Sequence, residues 1–392
     1  MNTRRPPRKS YLPPFRHTIG DEEIREVVDT MRSDWITTGP KTHLFEDLFR
    51  QHVGSNCAVA VNSCTAALHL SLIATGIGRG KEVITTPFTF AATAEVIIQQ
   101  QAEPIFVDIE PDTYNIDPLK IEEKLSGRTA AILPVHYAGH PCEMDTILEI
   151  ASEHKLRIIE DAAHALGAYL NDRAIGSFGD LTCFSFYATK NITTAEGGMV
   201  TTDDESLAEK IRLLSLHGIS KDAWKRYGYD GSWQYEIQCL GYKYNMTDIQ
   251  AAIGIHQLKK AFEMQKSREL IAKKYTKAFR SVPEITIPTV KKNVRHAWHL
   301  YPILVNTELL SINRNRFIEA LKAENIGTSV HFIPLHLHPY YRQRYGFKRG
   351  DFPIAESVFD REISLPIYPR MTADDVGDVI AAVQRVVDCS CA

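Results

Sequence analysis

The sequence predicts an α/β fold: a mostly parallel sheet covered by helices, followed by a smaller C-terminal α+β domain. Two observations predict it. Up to about residue 215, short apolar runs alternate with amphipathic stretches, the pattern of strands and helices in a wound sheet. After Asn245 the texture changes to a long helical pattern and then to a loop-rich region. With 392 residues, 44% of them hydrophobic, the chain has ample material for a large core and an appended one.

Taken in order, residues 1–20 form an arm in which Arg4, Arg5, Arg8 and Lys9 sit among prolines, a composition expected to be disordered. Gly20-Asp21 introduces a helix over 21–31, expected to pack on the small domain. Buried strands are expected at 59–61, 83–85, 104–107, 130–135, 156–159 and 183–186. Helices are expected at 65–75, 91–100, 116–125 and 144–154. A single helix over 247–279, with Ile249, Ile253, Leu258, Phe262 and Leu270 among charged residues, links the sheet to a domain holding a strand at 300–305 and a helix at 314–324. The resulting division is arm 1–20, large domain 21–250 and small domain 251–392.

Several classes of function do not fit. Net charge is −3 and the sequence pI about 6.6, unlike a binder of nucleic acid or membrane surfaces. No export signal precedes the first helix and no run of about 18 apolar residues occurs, so the expectation is a soluble, cytoplasmic protein without membrane or nucleic-acid partners. Seven cysteines without a paired CxxC form neither a disulfide framework nor a zinc ribbon, and Cys389 and Cys391 are expected on a frayed tail. Gly76-Ile77-Gly78-Arg79-Gly80-Lys81-Glu82 precedes a strand instead of following one, and Glu82 stands where a phosphate-binding loop needs Ser or Thr. There is no Gly-Xaa-Ser-Xaa-Gly nucleophile turn.

The chemistry-bearing residues cluster differently. Ser185-Phe186-Tyr187-Ala188-Thr189-Lys190-Asn191 follows Glu160-Asp161-Ala162-Ala163-His164-Ala165 by some twenty residues. A lysine amine can condense with the aldehyde of pyridoxal 5'-phosphate, while a carboxylate keeps the pyridine nitrogen protonated so that the ring accepts electrons. Ser63-Cys64-Thr65 lies where a strand turns into a helix, a place that suits a phosphate and equally an ordinary N-cap. Ligands of such sheets gather at the carboxyl ends of the strands, where both groups fall.

These blocks, with Trp35-Ile36-Thr37-Thr38-Gly39-Pro40, Pro87-Phe88-Thr89-Phe90-Ala91-Ala92-Thr93, Glu196-Gly197-Gly198-Met199 and Gly241-Tyr242-Lys243-Tyr244-Asn245, occur in the order found in one family. The chain resembles the DegT/DnrJ/EryC1/StrS sugar aminotransferases, pyridoxal-phosphate enzymes of fold type I, over nearly its whole length. The segments 296–300 and 326–332 are similar to members acting on UDP-linked 4-keto sugars and to spore-coat polysaccharide aminotransferases.

The resemblance implies that Lys190 holds the cofactor and moves the proton between substrate and cofactor, and that Asp161 pairs with the pyridinium nitrogen. His164 would sit beside the phenolic oxygen, although it also reads as a structural histidine. Ser63, Cys64, Thr65 and Ser185 would bind the phosphate. Phe90 would stack on the ring, and Asn245 would reach the phosphate of the neighbouring subunit in a homodimer with shared sites. Thr38, Lys243 and His331 are candidate substrate contacts, and Arg226 with the aromatic insert 227–235 reads either as a nucleotide contact or as a surface loop.

His331, His336 and His338 lack a carboxylate at ligand spacing, so no metal is expected. The implied reaction takes an amine from L-glutamate to a nucleotide-activated keto sugar, with a 4-keto-6-deoxyhexose favoured. A dehydratase of the same fold carries His in place of Lys190, a regulator that only keeps the fold would have lost Lys190 or Asp161, and a 3-keto sugar stays open as substrate.

Overall fold

The computed structural model describes residues 5–219 and 235–391. Its centre is a seven-stranded sheet made of β1 (Cys57–Val61), β2 (Glu82–Thr85), β3 (Glu103–Phe106), β4 (Thr129–Ile132), β5 (Arg157–Asp161), β8 (Leu181–Ser185) and β9 (Gly198–Thr202), in the spatial order β1-β9-β8-β5-β4-β2-β3. The short strands β6 (Tyr169–Leu170) and β7 (Arg173–Ala174) form a ribbon outside it with β11 (Val294–Arg295). Strands β3, β2, β4, β5 and β8 run parallel, and β9 runs antiparallel to both of its neighbours. The sheet is therefore mostly parallel, and its strands read as apolar runs because helices cover both faces.

Strand β9 was absent from the sequence expectation. It begins at Gly198, after Glu196-Gly197, where two glycines look like a loop. Its residues Met199 to Thr202 are nevertheless all buried. A Cβ on Gly198 would lie 2.5 Å from the Ser63 carbonyl carbon, so only glycine lets β9 lie against the turn that ends β1.

The expected helix over 116–125 is two 3-10 turns, Pro118–Lys120 and Glu122–Lys124. Pro118 removes an N–H, and the Asp117 side chain caps Leu119 locally. The expected helix 247–279 is two, Asp248–Lys259 and Ala261–Phe279, which meet at Lys260, the C-cap of the first and the N-cap of the second (φ −95°, ψ −3°). The first half buries Ala251, Ile255 and Leu258 with Phe45 and Phe49. The helix Asp21–Arg32 lies on this half: Glu23 accepts from Gln257 at 2.7 Å and Glu26 bonds His256 at 2.8 Å.

The C-terminal region pairs β12 (Tyr301–Val305) with β10 (Ile285–Thr286) and β13 (Glu362–Leu365), and covers them with the helices Arg314–Ala323 and Ala373–Ser390. Two expectations of disorder are corrected here. In the arm, Leu12 is buried and forms a bridge with Ile326, while Arg8 pairs with Asp375 and Asp378 of the last helix. Cys389 lies within that helix and Cys391 bridges Leu310, so neither sits on a frayed tail. Among the described residues no helix is long and apolar enough to cross a membrane.

Candidate active site

A cavity of about 540 Å³ opens at the carboxyl ends of β1, β5 and β8. Its wall holds Ser63, Cys64 and Thr65 where β1 turns into a helix, Phe90, Asp161 at the end of β5 and His164 after it, Ser185 at the end of β8 and Lys190 after it, and His331 from the C-terminal region. Nine candidates from scattered parts of the sequence thus meet in one place.

Asp161 is the last residue of β5 and only 6% exposed. Its Oδ2 accepts from the Thr93 hydroxyl at 2.8 Å and its Oδ1 from the Ala163 N–H at 3.1 Å. Burial pushes the carboxyl above its usual range, while these two donors, Lys190 and His136 pull it back. Lys190 has its backbone N–H on the Tyr187 carbonyl at 2.9 Å, in a tight turn directly after β8. Burial of its ammonium in the cavity wall lowers its pKa to about 8, against the pull of Cys64 and Asp161. A minority of the amine, far more than for an exposed lysine, is thus neutral near pH 7 and able to act as a nucleophile and base.

The helix Cys64–Ala74 starts at the cavity. Ser63 Oγ accepts from Ala66 N–H at 3.1 Å as its N-cap. The N–H groups at the start of such a helix have no intrahelical partner and carry the positive end of its dipole. His164 packs between His299, at 4.2 Å between ring centroids, and Phe332, at 5.9 Å. Burial, helped by Lys190 and His331, holds it well below the normal histidine range, so it is neutral. His164 Nδ1 is buried with no hydrogen-bond partner among the described residues, a nitrogen that calls for a ligand atom.

An amine beside a carboxylate, a helix N-terminus for a phosphate and a buried nitrogen awaiting a partner make up the donor set that pyridoxal phosphate requires. The residues present therefore fit the group.

The sequence reasoning missed Thr89, Thr93, Tyr187, His299 and Phe332. Thr93 was legible in principle: it lies four residues after Thr89 on the entry to a helix, and the two hydroxyls are 2.8 Å apart. His299, bonded to Asn191 at 3.1 Å, lay in the quoted 296–300 block without a role.

Thr38, Asn245 and Lys243 lie outside this cavity wall. Asn245 Nδ2 donates to Thr38 Oγ1 at 2.7 Å, and Thr38 Oγ1 donates to the Met246 carbonyl at 2.5 Å. Lys243 is exposed. His331 and His336 have separate partners, since His331 bonds Ser364 at 2.8 Å and His336 bonds Glu356 at 2.8 Å. Arg226 and residues 227–234 lie outside the described residues.

Residues 17–384 match the DegT/DnrJ/EryC1/StrS aminotransferase family. The spore coat polysaccharide biosynthesis protein SpsC of Bacillus subtilis is 54% identical over 381 residues, covering 97% of this chain and 98% of the relative. Among solved structures, a Streptococcus pneumoniae protein assigned to the sugar aminotransferases superposes in its PLP form with a TM-score of 0.91 at 34% identity, covering 97% of this chain and 99% of that one. The PMP form of the same protein gives a TM-score of 0.91. Helicobacter pylori PseC, an aminotransferase of pseudoaminic acid biosynthesis, has a TM-score of 0.90 at 30% identity, covering 97% and 100%. The fold, the cavity chemistry and these likenesses agree: the chain belongs to the DegT/DnrJ/EryC1/StrS aminotransferase family and is a sugar aminotransferase that depends on pyridoxal phosphate.

Proposed function

We propose that the protein transfers an amine from L-glutamate to the keto carbon of a nucleotide-activated sugar, with a UDP-linked 4-keto-6-deoxyhexose or a relative as substrate, for polysaccharide or glycoconjugate assembly. The observation that carries the reading is the convergence of Lys190, Asp161 and the 63–65 helix start on one cavity whose wall also holds the neutral histidines His164, His299 and His331. These neutral imidazoles can hydrogen-bond the hydroxyl and carbonyl groups of a sugar ring.

Bound pyridoxal phosphate supplies an aldehyde and an electron-accepting ring. Lys190 would hold it through its amine and would carry the proton to and from the substrate carbon. Asp161 keeps the ring nitrogen protonated. Ser63, Thr65 and Ser185 with the Cys64 N–H bind the phosphate, His164 meets the phenolic oxygen, and Phe90 covers a ring face. His331 contacts the sugar.

A homodimer with shared sites completes the reading. Ile36, Ile237 and Leu240 are large apolar side chains left 53%, 69% and 86% exposed, and a second copy covering them would bring Asn245, with Thr38 and Lys243, to the neighbouring cavity. A water-soluble nucleotide sugar as substrate suits a cytoplasmic enzyme.

The test is a panel of UDP-, dTDP- and GDP-linked keto sugars incubated with glutamate, with products identified by mass spectrometry. An aminated nucleotide sugar is expected. Amination of free keto acids alone, with every nucleotide sugar inert, would overturn the reading.

A further inference from the structure

Glu362 and Ser364 stand two residues apart on β13, so their side chains leave the same face of the strand. Both are buried and both meet the segment at His331. Glu362 Oε2 accepts the His331 backbone N–H at 2.9 Å. The Ser364 hydroxyl lies 2.5 Å from Glu362 Oε1 and 2.8 Å from His331 Nδ1. With Nδ1 engaged, Nε2 is the nitrogen that His331 has left for the cavity it lines.

A serine hydroxyl has one proton to give, so only two arrangements satisfy this chain while the imidazole stays neutral. With Glu362 ionised, Ser364 O–H donates to the carboxylate, Nδ1–H donates to Ser364 Oγ, and Nε2 presents a lone pair. With Glu362 protonated, its O–H donates to Ser364 Oγ, Ser364 O–H donates to Nδ1, and the ring proton sits on Nε2. One proton taken up at Nε2 from the cavity moves the Nδ1 proton to Ser364 and the Ser364 proton to Glu362, so the carboxyl gains a proton and the cavity a donor, with no heavy atom displaced.

We propose that Glu362 and Ser364 are positioning residues that set the tautomer of His331, so that His331 offers the keto-sugar substrate a hydrogen-bond donor when Glu362 carries a proton and an acceptor when it does not. The part of this concerning the sugar rests on the function proposed above; the tautomer relay does not. In the donor state a substrate oxygen that takes the Nε2 proton draws the Ser364 proton to Nδ1 and the Glu362 proton to Ser364. One proton crosses and a carboxylate is left behind.

The groups facing the relay are compatible with it. Around Glu362 stand Arg314, which donates to the Glu362 backbone carbonyl at 3.1 Å, and the neutral hydroxyls of Tyr137 and Tyr114. Around His331 stand Lys190, His164 and His299. Burial raises Glu362 to about 8, against the pull of Ser364, the His331 N–H and Arg314. Burial, with Lys190, lowers His331 to about 4, so near neutral pH the proton is taken up at the carboxyl and not as a second ring proton.

The holoenzyme labelled with 15N-histidine reports the ring tautomer directly by NMR, with the His331 signal assigned by its loss in His331→Gln. Wild type is expected to pass from the Nε2–H to the Nδ1–H form as pH rises through about 8. Glu362→Gln should stay Nε2–H throughout, because its amide N–H replaces the acid proton as donor to Ser364, and Ser364→Ala should show no step even if the Glu362 variant folds poorly. The same step should appear in kcat/KM, roughly tenfold across the range, and flatten in both variants, as the gain or loss of one hydrogen bond predicts.

A His331 tautomer that stays constant in wild type, or a step that persists in Glu362→Gln, overturns the relay. A tautomer step without a matching step in kcat/KM overturns its role toward substrate. Because the NMR measurement needs no substrate, a failure of the nucleotide-sugar assignment is read separately.

Discussion

The Thr93 hydroxyl donates to Asp161 Oδ2 across 2.8 Å, and its own oxygen lies 2.8 Å from the hydroxyl of Thr89. The direct hydrogen-bond donors to the Asp161 side chain in the structure are neutral, the Thr93 hydroxyl and the Ala163 N–H, and they offset its buried charge incompletely. The raised carboxyl pKa is the consequence.

The first prediction follows from that sign. A carboxyl whose folded pKa lies above its unfolded value contributes stability below the unfolded value and loses it as pH rises through the folded one. Asp161→Asn should therefore raise the melting temperature of the cofactor-free protein at pH 7 by a few degrees, with the gain vanishing near pH 4, while transamination falls by at least about a hundredfold. Thermal melts of the cofactor-free protein across pH check the first half, and a destabilised variant at pH 7 refutes the account.

How much of this was readable beforehand depends on where the signal lay. The ends of β1 and β5 were legible because apolar runs stop at Asn62-Ser63 and at Glu160-Asp161, so the polar residues mark both the strand end and the site. The break at Lys260 was not, because Lys259-Lys260-Ala261 contains no Gly or Pro and both flanking helices continue the same apolar spacing. Strand β13 hid for the opposite reason: Glu362 and Ser364 are polar, and a buried strand is recognised by apolar residues. Their burial is intelligible only once His331, some thirty residues earlier, is seen to bond both.

A second prediction concerns Lys190. Its folded pKa of about 8 lies below the usual lysine value, so the neutral amine that condenses with an aldehyde is populated well below pH 10. The rate at which the cofactor-free protein captures pyridoxal phosphate, followed by absorbance, should rise with pH and level off just above 8. A rate still climbing towards pH 10 would contradict it. Lys190→Ala should abolish borohydride fixation of the cofactor, and label on another lysine would reassign the role.

The third prediction concerns the support beneath Thr38 and Asn245. The helix Pro40–Val53 has Gly39 at its N-cap and no side chain of its own to cap it. Asp248 serves instead: its carboxylate, 1% exposed, accepts from Gly39 N–H at 2.8 Å, Thr42 N–H at 2.9 Å and Thr42 Oγ1 at 2.6 Å. Asp248→Ala leaves those donors buried and unpaired and should cost about 3 kcal/mol. Asp248→Asn, which keeps an acceptor, should cost less. Equal losses in urea unfolding would mean that the charge-assisted cap contributes little.

The last prediction tests the shared site proposed for the homodimer. Asn245 is held by Thr38 at 2.7 Å and lies outside the wall of its own chain's cavity, while large apolar side chains nearby are exposed. If Asn245 donates to the partner chain's cofactor phosphate, Asn245→Asp sets a negative charge against that phosphate and should weaken cofactor binding at every site of a homodimer. Lys190→Ala inactivates every site of its own homodimer. In a heterodimer of the two, one cavity combines an intact Lys190 with an intact Asn245 from the partner, and the other carries both defects. Tagged heterodimers purified from co-expressed chains should therefore recover about half of wild-type activity, above either parent. Confirmed heterodimers no more active than the better parent would show that each cavity is completed by its own chain.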